Sequence, residues 1–358
     1  MRIAHQIAAV ASAVAITAAA GLLAAAPGVA SPAHSASRTG PDTQAGSVTL
    51  SGGLSGVAAT SARNAWAVGG NSTGALILHW NGRAWKSVPS PALKGSFLDR
   101  VAATSARNAW AVGSGSKGGA LILHWNGRAW KRQRIRLTAG LSSVAATSAR
   151  NAWAAGGGVI LHWNGRAWKR APIPVPAGFY GMAATSASNA WAVGTDLGGV
   201  ILHWNGKTWQ RVPSPARANS TLHGVAATSA RNAWAAGFCC FKPRHNNHPD
   251  GTLLFRWDGK AWKRVPSPSP PGGFLNGVAA TSARNAWAVG LDNAGVLILH
   301  WNGRSWRRVP SRRGGAEYDS LSAVAVVSAD DAWAVGETNS STSGARTLIL
   351  HWNGKVWN

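Results

Sequence analysis

The side chains best suited to metal or redox chemistry are gathered in one short segment. Residues 238–250 (FCCFKPRHNNHPD) hold both cysteines of the 358-residue chain, together with two histidines. In an oxidising compartment, Cys239 and Cys240 predict a vicinal disulfide. Free thiols, intermolecular pairing and a Cys/His site for zinc or copper are the alternatives, but the spacing matches no standard zinc pattern. We therefore predict a disulfide and no bound metal.

Residues for acid–base or cofactor chemistry are scarce. The two glutamates of the chain are Glu317 and Glu337, whereas glycosidases generally use two carboxyl groups that flank the scissile bond. A sialidase-like site needs a Tyr–Glu pair, but Tyr318 follows Glu317 directly and would face the opposite side of an extended chain. Residues 113–118 (GSGSKG) match a dinucleotide fingerprint in a predicted hairpin without a following helix. We predict no catalytic residue and no cofactor.

A repeat organises the chain from residue 47 onward. Residues 63–69 (RNAWAVG) and 79–85 (HWNGRAW) each recur seven times, at a mean spacing of about 44 residues. The repeats account for all 21 tryptophans, three in each. We expect the tryptophans to pack between repeats as core. We expect the recurrent histidine, His79 in the first repeat, to form a hydrogen bond within its own repeat.

Each repeat predicts four short strands, a to d, separated by turn residues. Asn81-Gly82 predicts a type I′ hairpin turn, in which both central residues have positive φ. No part of the repeat has the period of a helix. We therefore predict an all-β fold, a seven-bladed β-propeller of four-stranded antiparallel blades over residues 47–358. In the first repeat, the predicted strands are 56–60, 65–69, 76–80 and 85–88.

The last repeat ends before its fourth strand is complete. Residues 47–54 align without gaps on 134–141, which complete the fourth strand of the second repeat and lead into the third. We therefore predict that Val48 and Leu50 supply the outer strand of the last blade, which would leave no open sheet edge.

The repeat motifs carry a family resemblance over residues 47–358. The sequences WAVG (66–69) and HWNGRAW (79–85) resemble those of secreted bacterial Trp-rich propeller-repeat proteins. The Asn-Gly-x-x-Trp hairpin is distantly similar to the Asp-box turn of sialidase-like propellers, although the Asp-box Ser and Asp are missing. The resemblance implies a propeller fold and little chemistry, since most members of the first group have no assigned activity.

The charge is strongly biased: 36 Lys and Arg against 11 Asp and Glu give a formal charge of +25. In a propeller the a–b and c–d turns lie on one face, so repeated turn cations would form a ring that attracts polyanions. The alternative is that exposed turn positions were filled by arginine and copied during duplication. The predicted polyanion-binding residues are Arg63, Arg83, Arg107, Arg128, Arg150, Arg166, Lys207, Arg231, Lys260, Arg284, Arg304 and Lys355.

The repeats also differ in one column just before the first strand, near the predicted mouth of the central channel. Convergent polar groups at such a place could orient a ligand, and the alternative is loop drift without selection. The column reads Ser55, Asp99, Ser142, Tyr180, His223, Asn276 and Ser322. The predicted ligand-binding residues are Asp99, Arg100, Tyr180, His223 and Asn276.

The N-terminus predicts export. Residues 1–30 read as a signal peptide, with a basic start, an uncharged run and small residues before Ser31. The run is also long enough to serve as an uncleaved anchor. Residues 31–46 read as a flexible linker. We expect the rest of the chain to be extracellular or associated with the cell wall, with no transmembrane span after cleavage.

These observations favour a secreted, monomeric, non-catalytic binding or scaffold propeller. The expected partner is a polyanionic polymer or cell-surface glycan, such as cell-wall polymer, acidic polysaccharide or extracellular DNA. One alternative is a sialidase-like enzyme or small-ligand binder at the channel mouth. Another is a protein–protein interaction platform, which would expose Phe97, Phe238, Phe241 and Phe274.

Overall fold

A computed structural model describes the β-rich part of the chain, and its described residues contain 27 strands and no helix. These strands form seven antiparallel sheets in which successive strands are neighbours. The innermost strand of each sheet contacts the innermost strand of the next, and the last contacts the first. The predicted seven-bladed β-propeller is therefore confirmed. The described residues are 49–92, 94–241, 249–311, 319–340 and 344–358.

The strand bounds follow the repeat. Blades 1 to 3 contain β1 (Gly53–Ser61), β2 (Asn64–Asn71), β3 (Gly74–Trp80), β4 (Trp85–Ser87), β5 (Phe97–Ser105), β6 (Asn108–Ser114), β7 (Ala120–Trp125), β8 (Trp130–Gln133), β9 (Ser143–Ser148), β10 (Asn151–Gly156), β11 (Val159–Trp163) and β12 (Trp168–Ala171). Blades 4 and 5 contain β13 (Gly178–Ser186), β14 (Asn189–Thr195), β15 (Gly199–Trp204), β16 (Trp209–Arg211), β17 (Thr221–Ser229), β18 (Asn232–Phe241), β19 (Pro249–Trp257) and β20 (Trp262–Arg264). Blades 6 and 7 contain β21 (Phe274–Ser282), β22 (Asn285–Asp292), β23 (Gly295–Trp301), β24 (Trp306–Arg308), β25 (Ser320–Ser328), β26 (Asp331–Ser340) and β27 (Gly344–Trp352).

The tryptophans form the interfaces between blades, as predicted. Trp66 is fully buried and stacks on His79 of its own blade, with ring centroids 4.2 Å apart. Its other contacts are Trp125 at 4.9 Å and Trp130 at 5.1 Å, both in the next blade. Trp130 meets Trp66 edge-on, at an interplanar angle of 86°, a favourable geometry for two aromatic rings. The two Trp–Trp contacts recur at all seven interfaces.

A polar chain under each a–b turn explains the recurrent histidine. Asn64 donates from Nδ2 to Thr60 Oγ1 at 2.7 Å, which leaves its Oδ1 to accept from His79 Nε2 at 2.9 Å. Burial lowers the pKa of His79, so the imidazole is neutral at pH 7, and its partner assigns the proton to Nε2. The predicted hydrogen bond within the blade is present in this blade and in five others.

Blades 5 and 7 alter this chain in different ways. In blade 5, Arg256 replaces the histidine, and its guanidinium carbon lies 5.5 Å from the centroid of the Trp234 ring. In blade 7, Val327 replaces the threonine and Asp331 replaces the asparagine, so Asp331 accepts from His351 at 2.8 Å. The two changes in blade 7 are chemically matched, because a carboxylate has no N–H group that needs the missing hydroxyl.

The c–d hairpin differs from the predicted type I′ turn. Trp80 pairs with Trp85, so four residues form the loop, and among its residues Gly82 has positive φ while Asn81 does not. Asn81 Oδ1 accepts hydrogen bonds from the backbone N–H groups of Arg83 and Ala84, both at 3.0 Å. The asparagine therefore shapes the turn with its side chain, as Asp258 does in blade 5.

Both ends of the described chain complete the last blade, which confirms the predicted closure by the N-terminal segment. Leu50 and Thr347 exchange two hydrogen bonds of 2.9 Å, and Gly52 N–H donates to the Ala345 carbonyl. At the other end of β27, Asn358 and His351 exchange backbone hydrogen bonds. Val48, the predicted signal peptide (1–30) and the linker (31–46) lie outside the described residues, so those assignments stay predictions.

The pairing in blade 7 gives a stability prediction. Asp331→Asn should lower the free energy of unfolding by about 1 kcal/mol, because the new amide N–H group faces Val327 and lacks an acceptor. Adding Val327→Thr should recover most of that loss. Urea unfolding of the wild type, both single variants and the double variant measures the coupling.

Blade 1 supplies the reverse control. Thr60→Val should lower the free energy of unfolding, and adding Asn64→Asp should restore most of it. Purely additive effects in both blades would contradict the matched-pair explanation.

Candidate functional site

The a–b and c–d turns of each blade are joined, so they occupy one face of the propeller. Trp80 Nε1 donates to the carbonyl of Ala62 in the a–b turn at 3.0 Å. The side chain of Arg63 lies against Gly82, where an added Cβ would come within 3.0 Å of Arg63 Cγ. The indole hydrogen bond recurs in all seven blades. We call this surface the turn face.

The turn face carries all twelve predicted polyanion-binding residues, and every one of them is exposed. Among the described residues, none of the ion pairs involves these twelve side chains. Two acids interrupt the ring: Asp330 takes the a–b turn position of blade 7, and Asp258 forms the hairpin of blade 5. Asp258 pairs with Lys263 at 2.7 Å. The face is therefore strongly cationic and leaves its charges open to solvent.

The opposite end of the innermost strands contains the variable polar column. Six of the seven column residues lie within the first strands, where each forms a β-bulge, and the seventh, Ser142, directly precedes β9. In blade 1, for example, the pairing with β2 skips Ser55 between Leu54 and Gly56. A bulge re-aims one side chain without changing the rest of the strand. All seven side chains are half-buried around the channel mouth. The bulged residues are Ser55, Asp99, Tyr180, His223, Asn276 and Ser322.

Arg100 follows the bulge of blade 2, and its guanidinium reaches across the mouth. Its Nη1 donates to the carbonyl of Ser55 in blade 1 and, at 3.0 Å, to the carbonyl of Asp99. Its Nη2 lies 3.5 Å from the carbonyl of Ser322 in blade 7. No ion pair among the described residues joins Arg100 to a carboxylate.

An aromatic and amide arc spans the mouth from blade 4 to blade 6. The ring centroid of Tyr180 lies 5.1 Å from that of His223, which lies 5.4 Å from that of Phe238. Asn276 interacts with the His223 side chain and donates from Nδ2 to the carbonyl of Leu321 at 2.9 Å. The structure thus gathers the predicted channel-mouth residues around one opening.

Burial shifts the titration of two groups at the mouth. It raises the pKa of Asp99 to about 7, although the positive charge of Arg100 opposes that shift. Burial, together with the positive charge of Arg100, lowers the pKa of His223 to about 4. His223 is therefore neutral at pH 7, whereas Asp99 is close to half-ionised.

The interaction-platform alternative predicted four exposed phenylalanines, and the structure shows one of them exposed. Phe97 is 46% exposed, whereas Phe274 is half-buried and Phe238 is buried at 7%, because Phe238 packs between His223 and Phe274. The Phe241 side chain lies outside the described residues. Leu197, which sequence reasoning did not select, is 89% exposed.

The cysteine-rich segment is described in part. Cys239 is buried, and its Sγ accepts a hydrogen bond from Ser220 Oγ at 3.6 Å. The Cys240 side chain and residues 242–248 lie outside the described residues, so the disulfide stays a prediction. Where the structure describes side chains, no group of three His, Cys, Asp or Glu residues is placed to hold a metal.

A groove between blades 3 and 4 was not foreseen from the sequence. Its volume is about 450 Å³, and Trp204, Ile173 and Lys169 contribute to its lining. Lys207 of the turn face also lines it. The groove depends on how two blades meet at the rim, which no single repeat motif encodes.

No family model and no curated protein matches the sequence. The structure is similar to solved propellers: YCF48 bound to D1 peptide (TM-score 0.58, 15% identity, 84% of this chain and 95% of that chain) and a streptogramin B lyase (0.63, 11%, 84% and 93%). It is also similar to the WD40 propeller domain of Doa1 (0.59, 14%, 84% and 95%). At these identities the likeness shows the propeller fold alone, which binding propellers and a lyase share.

The described residues contain no helix that is long and apolar enough to span a bilayer. This finding concerns only the residues that the structure describes.

The two shifted groups predict opposite pH effects on stability. Asp99 binds its proton more tightly in the folded state, so Asp99→Asn should gain stability relative to wild type as pH rises from about 4 to 7. His223 binds its proton less tightly in the folded state, so His223→Asn should gain relative stability as pH falls from about 6.5 to 4. Thermal unfolding across this range measures both differences.

The double variant is the control, since the two differences should add at each pH. If the stability difference from wild type changed with pH in the same direction for both single variants, the burial of these groups would be contradicted.

Proposed function

We propose that this protein is a non-catalytic binding propeller that holds polyanionic polymers on its turn face. The observation that carries the proposal is the ring of twelve exposed cations, two turns to a blade, on one side of a rigid fold. In this proposal the a–b and c–d turns hold the cations in place, and the turn face performs no reaction.

The binding would be electrostatic and multivalent. Each cation that neutralises a phosphate or sulfate group releases condensed counterions, so affinity should fall steeply with salt and depend little on polymer sequence. The turns support this role because the backbone of each is held by a side chain. In the c–d hairpins this is Asn81 or its equivalent, and in the a–b turns with arginine it is Ser61 or its equivalent. Less conformational entropy is lost when such a pre-ordered array binds.

The expected location agrees with this role. The predicted signal peptide and the resemblance to secreted Trp-rich propellers support an extracellular or cell-wall setting. Teichoic acid, acidic polysaccharide and extracellular DNA are polyanions available there. The similarity to a propeller solved with a bound peptide supports binding as the general use of the fold, so an acidic protein is a further possible class of partner.

A charge-deletion pair tests the proposal. The quadruple variant Arg83→Gln, Arg128→Gln, Arg166→Gln, Arg304→Gln removes four charges from the turn face of blades 1, 2, 3 and 6. Its salt slope for a short DNA duplex and for dextran sulfate should fall by about 3, since each lost contact removes about 0.7–0.9 from the slope. Fluorescence anisotropy between about 50 and 200 mM salt measures the slope.

The same blades supply a matched control three residues further along, on the exposed outer strands. Lys86→Gln, Lys131→Gln, Lys169→Gln, Arg307→Gln removes the same charge and should change the slope much less. Equal losses from both variants would show a non-specific response to net charge, and affinity independent of salt would overturn the proposal altogether.

A further inference from the structure

The position after the bulge is the most crowded place on the innermost strands. Four blades place glycine there, and a Cβ on Gly56, Gly181 or Gly224 would come within 2.8–2.9 Å of the next blade's backbone. Gly277 is nearly as close, at 3.2 Å. Blade 2 instead places Arg100, the longest side chain in the column. A replacement of glycine by arginine here differs from sequence variation in exposed loops, because two neighbouring blades must accommodate the larger side chain.

The guanidinium of Arg100 retains binding capacity. Its three contacts are with neutral carbonyl groups, whereas arginine has five N–H donors in a planar fork. A cation removed from bulk water is stabilised best by a hydrogen-bonded anion. Asp99, the adjacent carboxyl group, forms no ion pair with Arg100 among the described contacts. The fork is therefore suited to a carboxylate, which it can bind through two parallel hydrogen bonds.

The arc from blades 4 to 6 supplies an aromatic surface to the same opening, in which Tyr180 and His223 are half-buried and Phe238 is buried. Tyr180, His223 and Phe238 follow one another with centroid distances of 5.1 and 5.4 Å, and Phe274 lies 5.7 Å beyond Phe238. Aromatic rings pack well against such surfaces in stacked or edge-on arrangements. Asn276 holds His223 in place and is itself fixed to blade 7.

We propose that the channel mouth binds a small aromatic carboxylate, with the carboxylate on Arg100 and the ring against the half-buried side chains of Tyr180 and His223. Among the described residues of the column and the bulges, Arg100 is the one cation at the opening, so a monoanion suits it better than a polyphosphate. This site lies at the end of the innermost strands opposite the turn face. Its ligand and its residues are therefore independent of polyanion binding.

The test uses the full-length protein and four defined probes: benzoate, 4-hydroxybenzoate, the neutral isostere benzamide, and inorganic phosphate. Ligand-observed NMR titration should show binding of at least one of the two carboxylates. Benzamide should bind about tenfold more weakly than benzoate, as expected when a charge-assisted hydrogen bond is lost.

Arg100→Gly is the decisive variant, because four other blades already have glycine at that position. It should fold and should lose carboxylate binding by about tenfold or more. Arg100→Gln, which keeps a donor for the carbonyl groups, serves the same purpose if the glycine variant unfolds. Arg63→Gln on the turn face is the matched control and should bind benzoate as the wild type does.

The proposal would be overturned if neither carboxylate binds, if benzamide binds as well as benzoate, or if Arg100→Gly retains full affinity. Phosphate binding that is stronger than that of both carboxylates and is lost in Arg100→Gly would also overturn it, since the site would then recognise charge without the ring. The quadruple turn-face variant should bind benzoate normally, so failure of this proposal and of polyanion binding can be told apart.

Discussion

The contact on which the rest of the structure depends is the buried tryptophan of each second strand. Trp66 packs on His79 of its own blade and on two tryptophans of the next. Each blade contacts mainly its neighbours, so the stability of such a repeat fold approximates a sum of these interfaces. Trp333 of blade 7 contacts Trp80 and Trp85 of blade 1 in the same way. The propeller therefore closes through the same kind of interface that joins the other blades. That closure fixes the position of every turn.

Much of this could be predicted from the sequence because the determining chemistry is local and repeated seven times. The tryptophan spacing predicted the blades, the histidine was expected to bond within its blade, and the alignment of residues 47–54 predicted closure. The structure confirms the pairing of Leu50 with Thr347. Even the two faces followed from the topology, since antiparallel neighbours in a four-stranded blade place alternate turns together.

Three details were not predicted correctly from the sequence, because they depend on contacts that the sequence pattern does not encode. Asn81 adopts its turn through side-chain hydrogen bonds to two backbone N–H groups, so it does not need the positive φ expected of a type I′ turn. The bulge at Ser55 inserts one residue without disturbing the small and apolar residues that follow. Phe238 is buried because blades 5 and 6 meet over it, and the repeat register alone could not show that meeting.

Repetition and departure from it carry different information about function. A residue copied into most or all blades, such as the tryptophans or the turn cations, can be retained because it suits the fold or because it was duplicated with it. A residue found in one blade has no such explanation. Arg100 stands where the repeat favours glycine, and the guanidinium lies in a channel mouth whose other polar side chains also differ between blades. The three carbonyl contacts and the charge of the neighbouring Asp99 offset part of the cost of placing a cation there, and a bound anion of the kind proposed would offset more of it.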